Sequence, residues 1–130
     1  MKTIRLFLII LVLAFSSSAA LAQGRSDEDI FKSFMDFAAN SKLSGLKTGD
    51  RIVKIALYFI DCPYEAGTLE ADGPEALQVN FKGFDCMTFV ENVLAFDNLL
   101  QSKNRDFESF KNELKKIRYR DGVLDNYTSR

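Results

Sequence analysis

The sequence predicts an α+β fold in which helices predominate, and two patterns indicate it. Four stretches place apolar residues at the three- and four-residue spacing of an amphipathic helix. A fifth stretch, residues 77–82, alternates apolar and polar side chains, which is typical of a strand with one buried face. We therefore expect one or two strands beside the helices. A chain of 130 residues that is 47% hydrophobic and 27% charged fits one globular domain.

The first 22 residues have the pattern of a secretory signal peptide. Lys2 and Arg5 give the positive start, residues 6–15 form the apolar core, and residues 20–22 are a small-residue cleavage site. This apolar core is too short to span a bilayer. We expect cleavage after Ala22, a periplasmic or secreted location, and no membrane contact after cleavage.

Three of the helical stretches are bounded by local start and stop signals. Residues 26–43 begin at Ser26, a preferred N-cap residue, and residues 48–59 follow after a short break. Residues 107–117 begin after Asp106, a second candidate cap. Their apolar faces are expected to form the core, and we assign them no chemistry.

The remaining helical stretch begins at Cys86, with Asp85 as its predicted N-cap. The spacing predicts one buried face, made of Cys86, Phe89, Val90, Val93, Leu94 and Leu100. The first turn of a helix favours a thiolate, so Cys86 can be a nucleophile. Several cysteine hydrolases present their nucleophile in this way, after a strand and a tight turn. The alternative is a small apolar residue in the core.

Charge and histidine content exclude several classes of function. Without the two basic residues of the leader, 15 Lys and Arg stand against 18 Asp and Glu, a net charge of −3. No basic stripe suits a nucleic acid, so we expect none as a partner. The sequence has no histidine, the commonest metal ligand and general base. With two cysteines and no histidine, we expect no metal and no cofactor.

Four short motifs occur in order along the chain. They are Pro63-Tyr64-x-x-Gly67-Thr68-Leu69-Glu70, Phe84-Asp85-Cys86-x-Thr88-Phe89-x-Glu91, Ile117-Arg118-Tyr119-Arg120-x-Gly122 and Tyr127-x-Ser129-Arg130. Together they resemble the N-acetylmuramoyl-L-alanine amidase-like family of secreted bacterial proteins, a relative of the NlpC-type cell-wall peptidases. The resemblance implies a papain-like α+β fold, truncated here to a mostly helical N-terminal portion. Residues 46–130 would be the N-terminal part of the catalytic domain, preceded by a helical segment at 23–45.

By this resemblance Cys86 corresponds to the catalytic nucleophile, and Tyr64 to a tyrosine that lies across the active site. The backbone N–H of Cys86 would be a candidate oxyanion donor. The implied reaction cleaves an amide of peptidoglycan through a thiol acyl-enzyme, either between N-acetylmuramic acid and L-alanine or at a nearby stem-peptide bond. The implied partner is peptidoglycan or a muropeptide, and we expect a monomer.

The family's catalytic base is a histidine, expected in a His-Tyr segment directly after the motif that here ends at Arg130. Since the sequence has no histidine, we expect it to be an N-terminal fragment of a longer protein. Loss of a general base typically lowers the rate by ~10²–10⁴-fold. The fragment alone should therefore be nearly inactive.

Four other candidate residues have structural alternatives. Asp85 is expected to cap the helix rather than take part in catalysis, and Tyr64 either orients substrate or anchors its loop. Thr88 and Glu91 share a helix face and either anchor a neighbouring loop or line the site.

The basic cluster near the end and the second cysteine also have two interpretations. Arg118 and Arg120 could pair with an acidic stem peptide, although capping a helix or facing solvent is the commoner role. Cys62 is expected to be a loop or core thiol, because a disulfide with Cys86 would mask the nucleophile. Oxidation of this pair is the alternative.

A function of a different class also stays open. The chain could be a non-catalytic, secreted, wall-associated binding or structural module, and the absence of histidine favours it.

Overall fold

The computed structural model describes residues 24–70 and 72–130, and within these ranges the regular structure is helical. The α-helices are α1 (Asp27–Asn40), α2 (Thr48–Tyr58), α3 (Cys86–Gln101) and α4 (Phe107–Arg118). Short 3₁₀ helices lie at Leu43–Gly45, Arg120–Gly122 and Tyr127–Ser129. The predicted signal peptide lies outside the described residues. Of the helices within them, none has the length and apolar character needed to cross a bilayer.

Local capping fixes the starts of α1 and α4, as the sequence predicts. The Ser26 hydroxyl accepts the N–H of Asp29 at 3.1 Å, and the Asp29 carboxylate accepts the N–H of Ser26 at 3.2 Å. Asp106 accepts the N–H of Ser109 at 2.7 Å and caps α4. The end of α1 was predicted three residues too late, because Lys42 adopts a positive φ of 51° that turns the chain out of the helix.

Phenylalanine rings from all four helical regions meet in one core. The Phe96 ring of α3 lies 4.0 Å from that of Phe34 in α1 and 4.5 Å from that of Phe110 in α4, between centroids. Phe59, at the end of α2, and Phe81 complete the cluster at 5.6 and 5.4 Å from Phe96. Such pairs contribute about 0.5–1.5 kcal/mol each beyond the burial of their area. The helix that begins at Cys86 is thus held from several sides.

The prediction of an α+β, papain-like fold is wrong for the described residues, which contain helices and no strand. Residues 77–80 have no regular secondary structure and Phe81 lies in a bend, and among the described residues no strand lies beside them. Side chains of distant residues form hydrogen bonds with the backbone groups of this segment instead. Asp27 accepts the N–H of Phe81 at 2.7 Å, and Arg118 donates to the carbonyl of Gln78 at 2.5 Å. The alternating pattern therefore marks an irregular segment and not a strand, and its apolar side chains Leu77, Val79 and Phe81 pack against the core.

The predicted buried face of α3 is also wrong in part. Val93 and Leu100 are buried, but Cys86 is exposed and the exposed fractions of Val90 and Leu94 are 52% and 37%. Apolar residues lie nearly all around this helix, so spacing alone did not identify the face that packs. The buried residues of α3 are Thr88, Asn92, Val93, Ala95, Phe96, Asp97, Leu99 and Leu100.

Candidate active site: a groove beside Cys86

Cys86 is the first residue of α3, and a capping box fixes that position. The Asp85 carboxylate accepts the N–H of Thr88 at 2.8 Å, while the Thr88 hydroxyl accepts the N–H of Asp85 at 3.0 Å. Asp85 as N-cap is therefore confirmed. The Cys86 thiol is exposed, which contradicts the alternative of a core cysteine. The positive end of the helix dipole lies at this turn.

A two-bond bridge brings the first two motifs together. The N–H of Glu65 donates to the Phe84 carbonyl at 3.0 Å, and the N–H of Phe84 donates to the Pro63 carbonyl at 3.1 Å. Tyr64 and Phe84 thus lie side by side in parallel orientation, and this isolated pair extends into no sheet among the described residues. The bridge places Tyr64 next to the entry of the Cys86 helix.

The absence of a side chain at Gly83 permits this close approach. A Cβ at this buried position would lie 2.8 Å from the Cβ of Glu65 and 3.2 Å from the carbonyl oxygen of Pro63. The first distance is shorter than real Cβ contacts allow, so the chain would have to shift, and the second is tighter than most. Gly83 thus lets the two motifs touch.

The two motifs and the residues that directly follow α2 line a groove of about 420 Å³. Its lining residues are Phe59, Ile60, Cys62, Tyr64, Phe84, Asp85, Cys86, Phe89 and Val90. The wall is mostly apolar, with two thiols, one phenol and one carboxylate. It suits a ligand with a small apolar portion next to a carbonyl that the Cys86 sulfur can reach.

The two cysteines of the groove are free thiols in different surroundings. Cys86 is exposed, while Cys62 is half-buried and its Sγ lies 3.7 Å from the carbonyl oxygen of Phe81. Burial raises the pKa of the Cys62 thiol, and the neighbouring Asp61 carboxylate raises it further. Since the thiolate is the reactive form, burial and the raised pKa make Cys62 a poor nucleophile.

Asp85 is a poor proton acceptor for that thiol. The hydrogen bond from the N–H of Thr88 lowers the pKa of the Asp85 carboxyl. The carboxylate therefore stays ionised and remains hydrogen-bonded to the first turn of α3. Within the described ranges, Asp85 is the one carboxylate that lines the groove, and no three His, Cys, Asp or Glu side chains converge to hold a metal. Among the described residues, the groove therefore presents an exposed thiol beside a carboxylate that is poorly suited to accept its proton.

Thr88 and Glu91 lie behind the groove and do not line it. Thr88 is buried in the capping box. The Glu91 carboxylate accepts from Arg118 Nε at 2.8 Å, with the Arg118 side chain only 2% exposed. The expectation of a capping or solvated Arg118 is wrong, because it is buried and joins α4 to α3 and to the carbonyl of Gln78.

Arg120 lies away from the groove. It is exposed and lines a separate depression of about 260 Å³, formed with residues 121–129. The last motif is anchored elsewhere. Arg130 donates from Nε and from a terminal nitrogen to the two carboxylate oxygens of Glu75, both at 2.7 Å. This pairing lowers the pKa of Glu75, which also accepts the Tyr119 hydroxyl at 2.7 Å.

Sequence reasoning missed the contacts that assemble this site. One such contact is the hydrogen bond that Asn80 Nδ2 donates to Glu65 Oε2. The two residues are 15 positions apart, and no local pattern connects them. Gly83 carried the one available signal, since a glycine between an extended segment and a helix often marks a close approach of two backbones.

Comparison with known proteins identifies the family. The model of the AmiA-like family, described as N-acetylmuramoyl-L-alanine amidase-like, matches residues 54–130. Two crystal structures of an N-acetylmuramoyl-L-alanine amidase from Bacteroides uniformis ATCC 8492 are 44% and 47% identical to the chain. Each has a TM-score of 0.59, and each match covers 64% of this chain and 34% of the solved one. No curated protein matches.

A further solved structure, from Bacteroides fragilis, bears a provisional name as a xylanase. It is 44% identical with a TM-score of 0.53, and the match covers 59% of this chain and 33% of that one. The chain thus spans about a third of the length of the solved structures that it matches. The family match extends over more than half of the sequence and includes both motifs of the groove, and the chain belongs to the N-acetylmuramoyl-L-alanine amidase-like family.

Proposed function

We propose that this chain carries the thiol nucleophile of a peptidoglycan amidase. The observation that carries the proposal is the position of Cys86, exposed at the first turn of α3 and sharing a groove with Tyr64. Membership of the amidase-like family supports the same class of reaction. The substrate class is an amide of the peptide part of peptidoglycan, with the bond between N-acetylmuramic acid and L-alanine as the first candidate.

The proposed chemistry proceeds through a thioester. The Cys86 thiolate attacks the amide carbonyl carbon, a C–S bond forms, the C–N bond breaks, and the amine leaves with a proton. Water then hydrolyses the thioester and releases the thiol. The first N–H groups of an α-helix have no acceptor within the helix, so the N–H of Cys86 is our candidate donor to the oxyanion.

A proton acceptor has to be added for fast turnover. The 130 residues contain no histidine, and the pKa of the Asp85 carboxyl is lowered. We propose that these residues alone turn over amides slowly, and that an imidazole supplied by further chain or by a partner raises the rate by ~10²–10⁴-fold.

Two variants and an added base test the proposal. The chain is incubated with purified peptidoglycan, with and without free imidazole, and released muropeptides are identified by mass spectrometry. We expect imidazole to increase release from wild-type protein and from Cys62→Ser, and to have no effect on Cys86→Ala. Release by Cys86→Ala at the wild-type rate would contradict the thiol mechanism.

The same assay separates an amidase from a glycosidase. Xylan serves as a second substrate because one similar solved structure bears a provisional xylanase name. An amidase leaves xylan intact and produces new amino groups from peptidoglycan. Release of reducing sugar from xylan that survives in Cys86→Ala would overturn the proposal.

Export and a monomeric state complete the proposal. The signal-like residues 1–22 would deliver the protein to the compartment that contains peptidoglycan. Fractionation of cells that produce the full chain tests this, and light scattering of the exported protein tests the monomer. Retention of the protein in the cytoplasm would contradict a wall substrate.

A non-catalytic wall-binding module is the second candidate, and the absence of histidine favours it. This module would sediment with insoluble peptidoglycan as wild-type protein and as Cys86→Ala alike, and imidazole would release nothing from either mixture. Binding without release under these conditions would replace the amidase proposal with this one.

A further inference from the structure

We propose that Glu65 and Asn80 form a latch that positions Tyr64 over the groove, which makes Glu65 a positioning residue for the proposed reaction. The proposal rests on the proposed function for its role in the groove. The latch itself is defined by contacts among four residues: Glu65, Asn80, Lys82 and Gly83.

The side chain of Glu65 crosses from one backbone to the other. A Cβ on Gly83 would lie 2.5 Å from Glu65 Oε2, which means that the Glu65 side chain runs directly over Gly83. Beyond it, Glu65 Oε2 accepts a hydrogen bond from Asn80 Nδ2 at 3.1 Å. The crossing is possible only because position 83 has no side chain.

The amide of Asn80 is oriented for this contact. Its Oδ1 accepts the backbone N–H of Lys82 at 2.8 Å, so Nδ2 is the group that can donate to Glu65. An asparagine that binds the backbone two residues ahead forms a defined local turn. The Glu65 carboxylate therefore accepts from an Asn80 amide whose orientation is already fixed.

The bridge needs such a constraint because it is short. Two backbone hydrogen bonds join residues 63–65 to residue 84, and between them the chain makes a loop without regular structure. Each backbone bond contributes little net free energy, and closing a loop opposes it. Tyr64, whose side chain is 76% exposed, has little packing of its own to fix its place beside Cys86. The latch supplies a third bond, from the residue directly after Tyr64.

Hydrogen exchange tests the latch without any assumption about function. The N–H groups of Glu65 and Phe84 report the bridge, and that of Val93, in the middle of α3, reports the global fold. We expect Glu65→Ala and Asn80→Ala each to speed exchange at the two bridge amides by about three- to tenfold. Val93 should not change. The double variant should exchange at the same rate as the single variants. Glu65→Gln, which keeps an acceptor oxygen, should exchange at the wild-type rate.

Alkylation of Cys86 tests the positioning role. Both reagents are applied to the Cys62→Ser protein, in which Cys86 is the remaining thiol. N-acetyl-L-alanine chloromethyl ketone has to bind in the groove before it alkylates Cys86, whereas the rate of iodoacetamide depends only on the reactivity of the thiol. Glu65→Ala should raise the half-saturating concentration of the ketone about three- to tenfold and leave the iodoacetamide rate unchanged. Glu65→Gln should restore the parent value.

The outcomes separate the two proposals. Unchanged bridge exchange in Glu65→Ala overturns the latch. Faster bridge exchange with unchanged ketone saturation overturns its positioning role. If the parent shows no saturation with the ketone at all, the proposed function fails at Cys86, and hydrogen exchange still decides whether the latch exists.

Discussion

Arg51 and Asp97 form a buried ion pair that joins α2 to α3, with 2.6 Å between Arg51 Nε and Asp97 Oδ1 and less than a tenth of either side chain exposed. Arg51 also donates to the carbonyl of Leu46 at 2.8 Å. A buried pair is costly to break because the remaining charge stays in a medium of low dielectric constant.

Replacing only Asp97 should therefore be severe. We expect Asp97→Ala to lower the free energy of unfolding by about 3–5 kcal/mol in urea titration, and Arg51→Met with Asp97→Leu to recover most of that loss. The control is Glu28→Ala, which removes a solvent-exposed i,i+4 pair with Lys32 and should change stability little. A similar effect of the two single variants would contradict this account.

Gly83→Ala should destabilise the protein, because its Cβ meets the Cβ of Glu65 and the carbonyl of Pro63. We expect a loss of about 1–3 kcal/mol. Gly49→Ala is the matched control, since a Cβ there meets nothing within 4 Å and Gly49 lies in α2. Alanine should stabilise that position by up to ~1 kcal/mol. If both variants have the same midpoint in thermal unfolding, the close approach at Gly83 carries no energetic weight.

The cap of α3 should give the stability a defined pH dependence. Its hydrogen bond to the N–H of Thr88 lowers the pKa of Asp85 in the folded state. The contribution of the ionised Asp85 cap to the free energy of unfolding is therefore complete above the unfolded pKa of about 3.9. It is lost as the pH falls through the lower pKa of the folded state. Asp85→Ala should cost ~1 kcal/mol near neutral pH, and the difference from wild type should shrink in acid. Asp85→Asn keeps an acceptor and should show a flatter pH profile than wild type.

The two thiols should react at different rates. Cys86 is exposed, whereas Cys62 is half-buried and has a raised pKa. Near neutral pH we expect iodoacetamide to modify Cys86 roughly ten times faster than Cys62 in peptide mapping. Unfolding in urea should make the two rates similar. Faster modification of Cys62 in the folded protein would show that the groove is arranged differently.

Arg118→Lys should weaken the junction of α3 and α4. Arg118 reaches Glu91 and the carbonyl of Gln78 with two different nitrogens of its planar guanidinium, whereas lysine has its three donors on a single nitrogen. We expect a loss of about 1–3 kcal/mol in the free energy of unfolding. Arg120→Lys, at an exposed neighbouring arginine, should stay within ~0.5 kcal/mol of wild type. Equal effects at the two arginines would contradict the buried role of Arg118.

The features that the sequence predicted correctly are those determined within one turn of chain. Ser26, Asp85 and Asp106 each bind an N–H three residues away, so the residue type and its position predict the start of the helix. The position of Cys86 at the first turn follows from the same local signal. This is why the centre of the candidate site could be predicted from the sequence.

The features that the sequence predicted wrongly depend on distant partners. The segment at 77–81 alternates like a strand, but a strand also requires a neighbour, and its backbone binds Asp27 and Arg118 instead. Arg118 was expected at the surface because its partner Glu91 lies 27 positions away. No local pattern encodes either pairing.

The contact between Asp27 and Phe81 means that the unit of folding is larger than the unit of homology. The family match begins at residue 54, yet the carboxylate that holds the segment leading into the thiol helix, and the rings of Phe31 and Phe34 in the aromatic core, come from α1. Arg51, which neutralises Asp97 in the interior, also precedes the matched region. A protein trimmed to residues 54–130 would keep every motif of the groove and lose the scaffold that holds the sulfur in position.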